Sequence, residues 1–259
     1  MWTAITRDVS PALARCELSF VERASIDVER ARLQHAAHCD ALESLGCEVI
    51  RLPAEAAFPD SVFVEDVALA FDEIAIATRP GAESRRAEGA AVLEVLGSFR
   101  RLLRIEAPGT LDGGDVLRIG KRVFVGISAR SNAAGSEQLR ELLAPFGYGV
   151  EGVATLDCLH LKSAVTQVAG DTVLINPAWL VDAAAFADYR CIEVDPAEQH
   201  AANAVRIGDA LVYPDCFPRT LQRLRDAGIA ATTVDVSELQ KAEGAVTCCS
   251  VLFRTAGAA

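Results

Sequence analysis

The chain has 259 residues, 51% of them hydrophobic, and a formal net charge of −11 at pH 7. This size is sufficient for one large hydrophobic core, and the acidic balance argues against a nucleic-acid-binding protein. The opening MWTAITRDVS lacks the basic and apolar regions of a secretory signal, and no apolar run approaches the ~20 residues of a membrane span. We therefore expect a single domain over residues 1–259, located in the cytoplasm, with no nucleic-acid or membrane partner.

Apolar stripes that end at glycine predict the helices, and apolar runs rich in Val and Ile, paired across short polar turns, predict the strands. In chain order the predicted elements are a helix over 26–45, strands over 47–52, 61–66 and 73–78, a helix over 84–96, strands over 115–119 and 122–127, a helix from Ser131 or Asn132 to near Gly147, strands over 163–169, 172–176, 204–208 and 210–214, a helix over 218–227, a strand over 231–236, a helical turn at Ser237 and a strand over 249–254.

The strand pairs recur along the chain. Their turns centre near residues 72, 120, 170 and 208, and periods of 20–50 residues are typical of solenoids, propellers and arrays. The first segment WTAITR and the last segment CSVLFR lack a partner next to them in sequence. If these two segments pair, the chain forms five copies of one hairpin-and-helix unit, closed by its own ends and without exposed inner edges.

Polar residues interrupt the apolar pattern just before each strand pair. Asp66, Asp112, His160, Asn203 and Cys248 follow one another at steps of 46, 48, 43 and 45 residues. In a closed ring, equivalent positions converge on the axis. We therefore expect carboxylates, one imidazole, one amide and one thiol to face a central cavity.

Two adjacent cysteines in EGAVTCCSVLF raise the question of a reactive thiol. Neighbouring Cα atoms lie ~3.8 Å apart, which is too close for an unstrained disulfide, and none of the eight cysteines forms a C-x-x-C pair, so structural zinc is disfavoured. Side chains of a strand alternate faces. If Ser250 faces the axis, Cys248 faces it too and is activated by His160, while Cys249 packs into the core. The alternative is that both cysteines are core residues.

The acids Asp60, Glu65, Asp66 and Asp112 predict a negative pocket that suits a planar, donor-rich cation such as a guanidinium. The alternative is ordinary surface acids in turns. Two arginines on loops that lead into helices, Arg85 and Arg130, are candidates for binding an anionic group such as an α-carboxylate, or else are surface residues.

Seven motifs, in order along nearly the whole chain, resemble the dimethylarginine dimethylaminohydrolase family of the guanidino-modifying pentein superfamily: DSVFVED (60–66), RPGAESRR (79–86), LDGGDV (111–116), ISARSN (127–132), LHLKS (159–163), AAN (201–203) and TCCS (247–250). The resemblance implies an α/β fold, a pseudo-symmetric five-bladed α/β propeller closed by the N- and C-terminal strands. It implies hydrolysis of Nω-methylated arginine, a small-molecule substrate, to citrulline and a methylamine. It also implies no organic cofactor, and we expect no metal.

By motif, Cys248 corresponds to the family's nucleophile, His160 to its general acid and base, and Asp112 to an acidic residue that many relatives carry as Glu. Leu18 falls in the segment that resembles a mobile lid, and Ala242 falls where a backbone carbonyl meets the substrate amine. The resemblance assigns substrate binding to Leu18, Asp60, Glu65, Asp66, Arg85, Arg130 and Ala242.

Other interpretations stay open. An arginine deiminase acts on unmethylated arginine, although those chains typically carry an added helical domain, and an amidinotransferase needs an acceptor site that the sequence does not reveal. A non-catalytic pentein-type interaction module and a zinc site at Cys248 and His160 are the alternatives from other classes. A homodimer is the protein partner that we include among the expectations.

Overall fold

The structure is a computed structural model, and it describes residues 1–255. Strands are named β1 to β15 and helices α1 to α6 in chain order. Their bounds are β1 Trp2–Arg7, α1 Val28–Ser44, β2 Cys47–Leu52, β3 Ala68–Ala70, β4 Ile74–Ala77, α2 Ala90–Phe99, β5 Arg101–Arg104, β6 Val116–Ile119, β7 Arg122–Ile127, α3 Ala133–Leu143, β8 Gly149–Ala154, α4 Leu161–Ala164, β9 Val165–Ala169, β10 Thr172–Ile175, β11 Arg190–Glu193, β12 Val205–Ile207, β13 Ala210–Pro214, α5 Pro218–Asp226, β14 Thr232–Val234, α6 Ser237–Gln240 and β15 Val251–Arg254.

The strands form five three-stranded sheets of one design. In each sheet an inner strand pairs antiparallel with a middle strand, and the middle strand pairs parallel with an outer strand, as β6, β7 and β8 do. A parallel pair needs a crossover connection. Helices α1, α2, α3 and α5 supply it in four sheets, and a short 3-10 helix at Ala183–Phe186 lies between β10 and β11 in the remaining one.

The two ends of the chain complete one sheet together. β15 pairs antiparallel with β1, with Thr3 opposite Phe253, and β1 pairs parallel with β2. The predicted closure of a five-bladed α/β propeller by its N- and C-terminal strands is therefore confirmed. In the other four sheets the inner and middle strands come from one hairpin. In this sheet they come from opposite ends of the chain, so the sheet forms only when the two ends pair.

Most predicted elements appear within a few residues of their expected bounds, and the strands over 47–52, 122–127 and 210–214 match them. The segment 61–66 differs, because it forms turns and the start of a 3-10 helix at Val64–Val67 rather than a strand. Three outer strands, β5, β8 and β11, were not predicted. Their partly exposed, charge-interrupted sequences, such as RLLR, lack a continuous apolar signal.

The apolar core lies between neighbouring sheets. One cluster joins Leu117 and Phe124 of one sheet to Val165 and Val173 of the next, and the Phe124 and Phe186 rings lie 4.7 Å apart at their centroids. Each buried side chain of this size contributes ~1.5–3 kcal/mol relative to exposure, so the sheets hold one another in place. In residues 1–255, no helix combines the length and apolarity that crossing a membrane requires.

Candidate active site

Polar residues gather at one end of the ring, where the chain enters each inner strand. Asp66 precedes β3, Asp112 precedes β6, His160 precedes β9, Asn203 precedes β12 and Cys248 precedes β15. Equivalent positions of five similar units therefore meet near the axis. Of the five, Asp66, His160 and Cys248 line the cavity described next, whereas Asp112 and Asn203 do not.

A small cavity lies at this end of the ring. Its volume is about 20 Å³, which is space for about one water molecule. Its lining residues are Glu17, Asp60, Phe63, Asp66, Arg85, Arg130, Leu159, His160, Ala242, Glu243 and Cys248. The thiol of Cys248 and the imidazole of His160 thus share one cavity with four carboxylates and two guanidinium groups.

His160 lies between two buried carboxylates. Its Nε2 atom is 3.0 Å from Oδ2 of Asp112 and 3.9 Å from Oδ1 of Asp66. Burial lowers the pKa of His160, but the charge of Asp66 and the hydrogen bond with Asp112 outweigh it and raise that pKa to about 9. Burial raises the pKa of Asp66, yet His160 and Arg85 bring it down to about 2. At neutral pH the imidazole is therefore protonated and ready to give up a proton.

The two glycines of LDGGDV permit this close packing. A Cβ atom on Gly114 would lie 2.5 Å from Nδ1 of His160, and one on Gly113 would lie 1.9 Å from the backbone oxygen of Glu65. The backbone N–H of Gly114 also donates to Oδ1 of Asp66 at 2.9 Å. Only glycine leaves room for the imidazole and the Asp66 carboxylate at this point.

Asp115 anchors the segment that carries His160. Its Oδ1 accepts the backbone N–H of Leu161 at 2.9 Å, and its Oδ2 accepts the hydroxyls of Ser131 and Ser128 at 2.6 and 2.7 Å. Burial raises the pKa of Asp115 to about 6, against the opposing effect of His160 and these donors. No role for Asp115 followed from the sequence, because its carboxylate accepts hydrogen bonds from segments that are distant in the chain.

All three nitrogens of the Arg85 guanidinium donate hydrogen bonds to the protein. Its Nη1 donates to Oδ2 of Asp66 at 2.6 Å, its Nε donates to Glu88 at 3.0 Å, and its Nη2 donates to the backbone oxygen of Phe63 at 3.1 Å. Burial acts to lower the pKa of Arg85, but the surrounding carboxylates raise it well above its ordinary value. The guanidinium therefore holds the Asp66 carboxylate in place. Arg85 also lines the small cavity.

The neighbouring cysteines have different surroundings. Cys248 lines the small cavity, whereas Cys249 is 0% exposed and belongs to a core cluster. The argument from strand alternation does not hold, because residues 246–249 form a turn and β15 begins only at Val251. Ser250 consequently lines a different cavity. Burial, followed by the charges of Glu65 and Asp66, raises the pKa of the Cys248 thiol to about 12.

Asn203 fixes the turn that bears Cys248. Its Oδ1 accepts the backbone N–H of Thr247 at 3.1 Å, and its Nδ2 donates to the backbone oxygen of Lys162 at 3.0 Å. Glu65 lies on the far side of this turn, where it pairs with Lys162 and accepts the hydroxyl of Thr247 at 2.8 Å. Glu65 therefore borders a second, larger cavity rather than the small one.

Residues 17–21 cover the small cavity, and we call them the cover segment. One oxygen of Glu243, Oε1, accepts the backbone N–H groups of Ser19 and Val21, each at 2.8 Å, and also that of Phe20. Glu243 adopts φ 58, a left-handed conformation that is uncommon for a non-glycine residue. The carboxylate thus holds three consecutive donors of the cover segment.

Two residues with predicted substrate roles also bind the cover segment. Oδ2 of Asp60 accepts the backbone N–H of Glu17 at 3.2 Å, and Nη2 of Arg130 donates to the hydroxyl of Ser19 at 2.9 Å. Burial raises the pKa of Asp60, and the charge of Arg85 partly offsets this. The ammonium of a substrate would compete with the N–H of Glu17 for Asp60, and its carboxylate would compete with the hydroxyl of Ser19 for Arg130.

Comparison with known proteins identifies the family. No protein-family model matches the chain. A dimethylarginine dimethylaminohydrolase of Streptomyces coelicolor is 41% identical over 97% of this chain and 96% of its own length, and one of Pseudomonas aeruginosa is 36% identical over 88% and 90%. The chain belongs to the dimethylarginine dimethylaminohydrolase family. A structure of the Pseudomonas aeruginosa enzyme, a cysteine-to-serine variant complexed with citrulline, has a TM-score of 0.93 and 34% identity, and the match covers 98% of this chain and 100% of that one.

The dimethylarginine dimethylaminohydrolase resemblance named ten site residues, and the structure brings seven of them to the lining of the small cavity: Asp60, Asp66, Arg85, Arg130, His160, Ala242 and Cys248. Asp112 is completely buried behind His160. Leu18 is half-buried and packs on a core cluster in the cover segment. Glu65 borders the larger cavity. Glu243, the neighbour of Ala242 and not among the ten residues, is a lining residue as well.

Asp66, Asp112 and His160 are also a group whose ligand atoms lie within 4.8 Å of one another, close enough for a metal ion. This group does not include Cys248, which the zinc alternative drawn from the sequence paired with His160. The charges of these same two carboxylates raise the pKa of His160 to about 9, and a protonated imidazole has no free lone pair for a metal. In this structure the three side chains form ion pairs with one another.

Proposed function

We propose that the chain hydrolyses Nω-methylated arginine to citrulline and dimethylamine or methylamine, with Cys248 as nucleophile and His160 as general acid and base. One observation supports this assignment above all. A protonated imidazole, held by Asp112 and Asp66, shares a small buried cavity with the Cys248 thiol. Acid and nucleophile therefore line the same cavity, where the substrate carbon would bind.

The charges of the cavity suit a methylated guanidinium. Asp66 presents a carboxylate to its interior, and planar guanidinium groups bind carboxylates well. The guanidinium stays protonated beside it, which keeps its central carbon electrophilic. Arg130 and Asp60 would release the cover segment and bind the α-carboxylate and α-ammonium of the substrate.

In the resting site the thiol is neutral, because burial and nearby carboxylates raise the pKa of Cys248 to about 12. A bound guanidinium places a positive charge beside the sulfur and lowers that pKa, so the substrate itself favours the thiolate. The thiolate then attacks the central guanidinium carbon and forms a C–S bond. The thiol proton is released to solvent as the thiolate forms, and the tetrahedral adduct is neutral.

The departing amine takes a proton from His160 as its C–N bond breaks, and a covalent thiouronium intermediate remains on Cys248. His160, now neutral, removes a proton from the water that attacks the same carbon. The C–S bond breaks, the carbon–oxygen bond of citrulline becomes a carbonyl, and the thiol is restored. Asp112 and Asp66 stabilise the protonated imidazole at the start and at the end.

The size of the small cavity adds one requirement. About 20 Å³ holds a water molecule, not an amino acid. Substrate entry therefore requires the cover segment to move away from Glu243, Arg130 and Asp60. Closure again after binding would exclude water from the attacking sulfur.

The deciding experiment measures citrulline formation from asymmetric dimethylarginine, monomethylarginine and arginine under identical conditions. We expect turnover of the two methylated substrates and little of arginine. Preferred turnover of arginine would instead favour a deiminase. Absence of turnover with all three, together with thiol alkylation that methylarginine does not slow, would favour a non-catalytic module.

Four expectations stay predictions within this proposal. A single domain over residues 1–259 and a homodimer can be tested by limited proteolysis and by sedimentation of the intact protein. A cytoplasmic location is supported by the cysteines, which are all free. Full activity after treatment with a chelator would support a reaction without a metal, and loss of activity that zinc restores would contradict it.

A further inference from the structure

A second cavity occupies the axis of the ring, on the other side of the Glu65–Lys162 pair. Its volume is about 440 Å³, far larger than the small cavity at the candidate active site. The walls come from the five inner strands β3, β6, β9, β12 and β15, together with Trp2 at the hairpin ends. We call it the axial cavity. The proposed hydrolysis makes no use of it.

Each inner strand places one partly exposed side chain into a shared layer of this cavity. The five residues are Ala70, Arg118, Gln167, Arg206 and Leu252. Each of these strands has the same position in its sheet, so the five residues surround the axis. Two of the five are arginines, in a chain whose net charge is −11.

The lining of the axial cavity has an excess of positive charge. Its cations are Lys162, Arg118, Arg206 and Arg254, and its carboxylates are Glu65 and Asp72. Lys162 pairs with Glu65, and Arg118 pairs with Asp72. Among the described residues, Arg206 and Arg254 have no ion pair with a carboxylate of the lining. The hydrogen bond from Arg118 lowers the pKa of Asp72, and the charge of Arg254 helps to lower it.

Arg206 is only weakly paired. Its Nη2 lies 3.6 Å from Asp209, whose side chain is fully exposed to solvent, so the interaction is largely screened. Its Nε atom is buried and has no hydrogen-bond partner among residues 1–255. A buried guanidinium donor without a partner is costly unless an acceptor reaches it.

In the part of the chain that the structure describes, Arg254 contacts the protein through the flat face of its guanidinium and not through its N–H groups. Its guanidinium lies over the Trp2 ring, 5.0 Å from the centroid, and within residues 1–255 no side-chain hydrogen bond of Arg254 is found. Trp2 also reaches β12, since a Cβ on Gly208 would lie 3.5 Å from its Nε1. Stacking leaves the N–H edge of the guanidinium available to a ligand.

From these observations we infer that the axial cavity is a binding site for a phosphate-class oxyanion, held by Arg206 and Arg254. A guanidinium offers two parallel N–H donors that match two oxygens of such an anion. The anion would neutralise the excess charge and give the buried Nε of Arg206 an acceptor. The inference is independent of the proposed hydrolysis.

The test uses the full-length protein and inorganic phosphate. Titration calorimetry at constant ionic strength, with chloride as the replaced anion, should show saturable binding with one phosphate per chain. Arg206→Gln and Arg254→Gln should each weaken the binding about tenfold or more, because each removes a charge-assisted pair. Arg225→Gln, a change at an exposed helix position, should leave it unaltered and serves as the matched control.

Arg130→Gln separates the two cavities, since Arg130 lines only the small one. Phosphate binding that survives Arg130→Gln and is lost in Arg206→Gln supports the axial site. Loss in Arg130→Gln with retention in Arg206→Gln, or no saturable binding to the unmodified protein, overturns it. If an arginine variant fails to fold, Leu252→Glu, which adds a negative charge to the same layer, should abolish binding, and retained binding contradicts the inference.

Discussion

Nε2 of His160 lies 3.0 Å from Oδ2 of Asp112, although the two residues are 48 positions apart in the chain. Both side chains are buried, at 4% and 0% exposure. In that environment a carboxylate favours the charged imidazole strongly, since little solvent screens the pair. The fold therefore produces a histidine that is protonated at neutral pH, which a surface histidine is not.

Replacing Asp112 with Asn should lower the pKa of His160 from about 9, because the neutral amide stabilises the imidazolium less. The change is read by NMR titration of the imidazole, with Asp209→Asn at an exposed site as control. We expect turnover to fall ~10²-fold or more as the acid is lost. An unchanged His160 pKa would contradict the assigned pairing.

The same pairing has a consequence for stability. The folded-state pKa of His160 lies above its ordinary value of 6.5. Its contribution to the free energy of unfolding is therefore fully present below pH 6.5 and is lost as the pH rises through about 9. In Asp112→Asn this loss should shift to lower pH, which denaturant titrations at several pH values would detect.

Cys248→Ser should abolish turnover, whereas Cys249→Ser should not. Serine is a far weaker nucleophile at this position, while Cys249 lies in the core, where its thiol contacts the backbone oxygen of Ala245 at 3.6 Å. Citrulline formation measures both variants. Cys249→Ser buries a hydroxyl, so its folding is checked by thermal unfolding. An active Cys248→Ser with an inactive Cys249→Ser would reverse the assignment.

Glu243→Gln should loosen the cover segment. A neutral amide oxygen accepts less strongly than the carboxylate that now holds the N–H groups of Ser19, Phe20 and Val21. Hydrogen exchange of these amides should accelerate about tenfold, because roughly 1.5 kcal/mol of hydrogen-bond strength is lost. The exposed Glu48→Gln change is the control. Unaltered exchange in Glu243→Gln would show that other contacts hold the segment.

Two buried histidines of α1 should make the protein sensitive to acid. Burial lowers the pKa of His35 to about 4 and that of His38 to about 3. Because both folded values lie below 6.5, the two groups do not reduce the free energy of unfolding above pH 6.5. As the pH falls from 6.5 toward the folded values, that free energy decreases by about 1.4 kcal/mol per pH unit for each group.

His38→Leu tests this expectation. The imidazole of His38 is 0% exposed, and neither of its nitrogens has a hydrogen-bond partner among residues 1–255. Removing it should reduce the slope of unfolding free energy against pH between 6.5 and 4 by about 1.4 kcal/mol per pH unit, as measured with urea at several pH values. An unchanged slope would mean that groups other than His38 dominate acid unfolding.

Much of the architecture could be predicted because it repeats. Strand pairs at regular intervals, with polar residues at steps from Asp66 to Cys248, indicated a ring closed by its own ends. The outer strands were missed, since RLLR at 101–104 is a strand only through its parallel pairing with β4. Hydrogen bonds to another segment leave no trace in local sequence patterns.

The sequence alone determined which kinds of groups gather at one end of the ring, because equivalent positions in repeated units must lie together. Only the tertiary structure decided how those groups are used. Arg85 and Glu65 look alike in sequence as candidate ligands of a substrate, yet Arg85 is held by Asp66 and Glu88, and Glu65 pairs with Lys162 on the axial side. The physical reason is that the partner of a buried charge is chosen by distance in space, which packing sets and spacing along the chain does not.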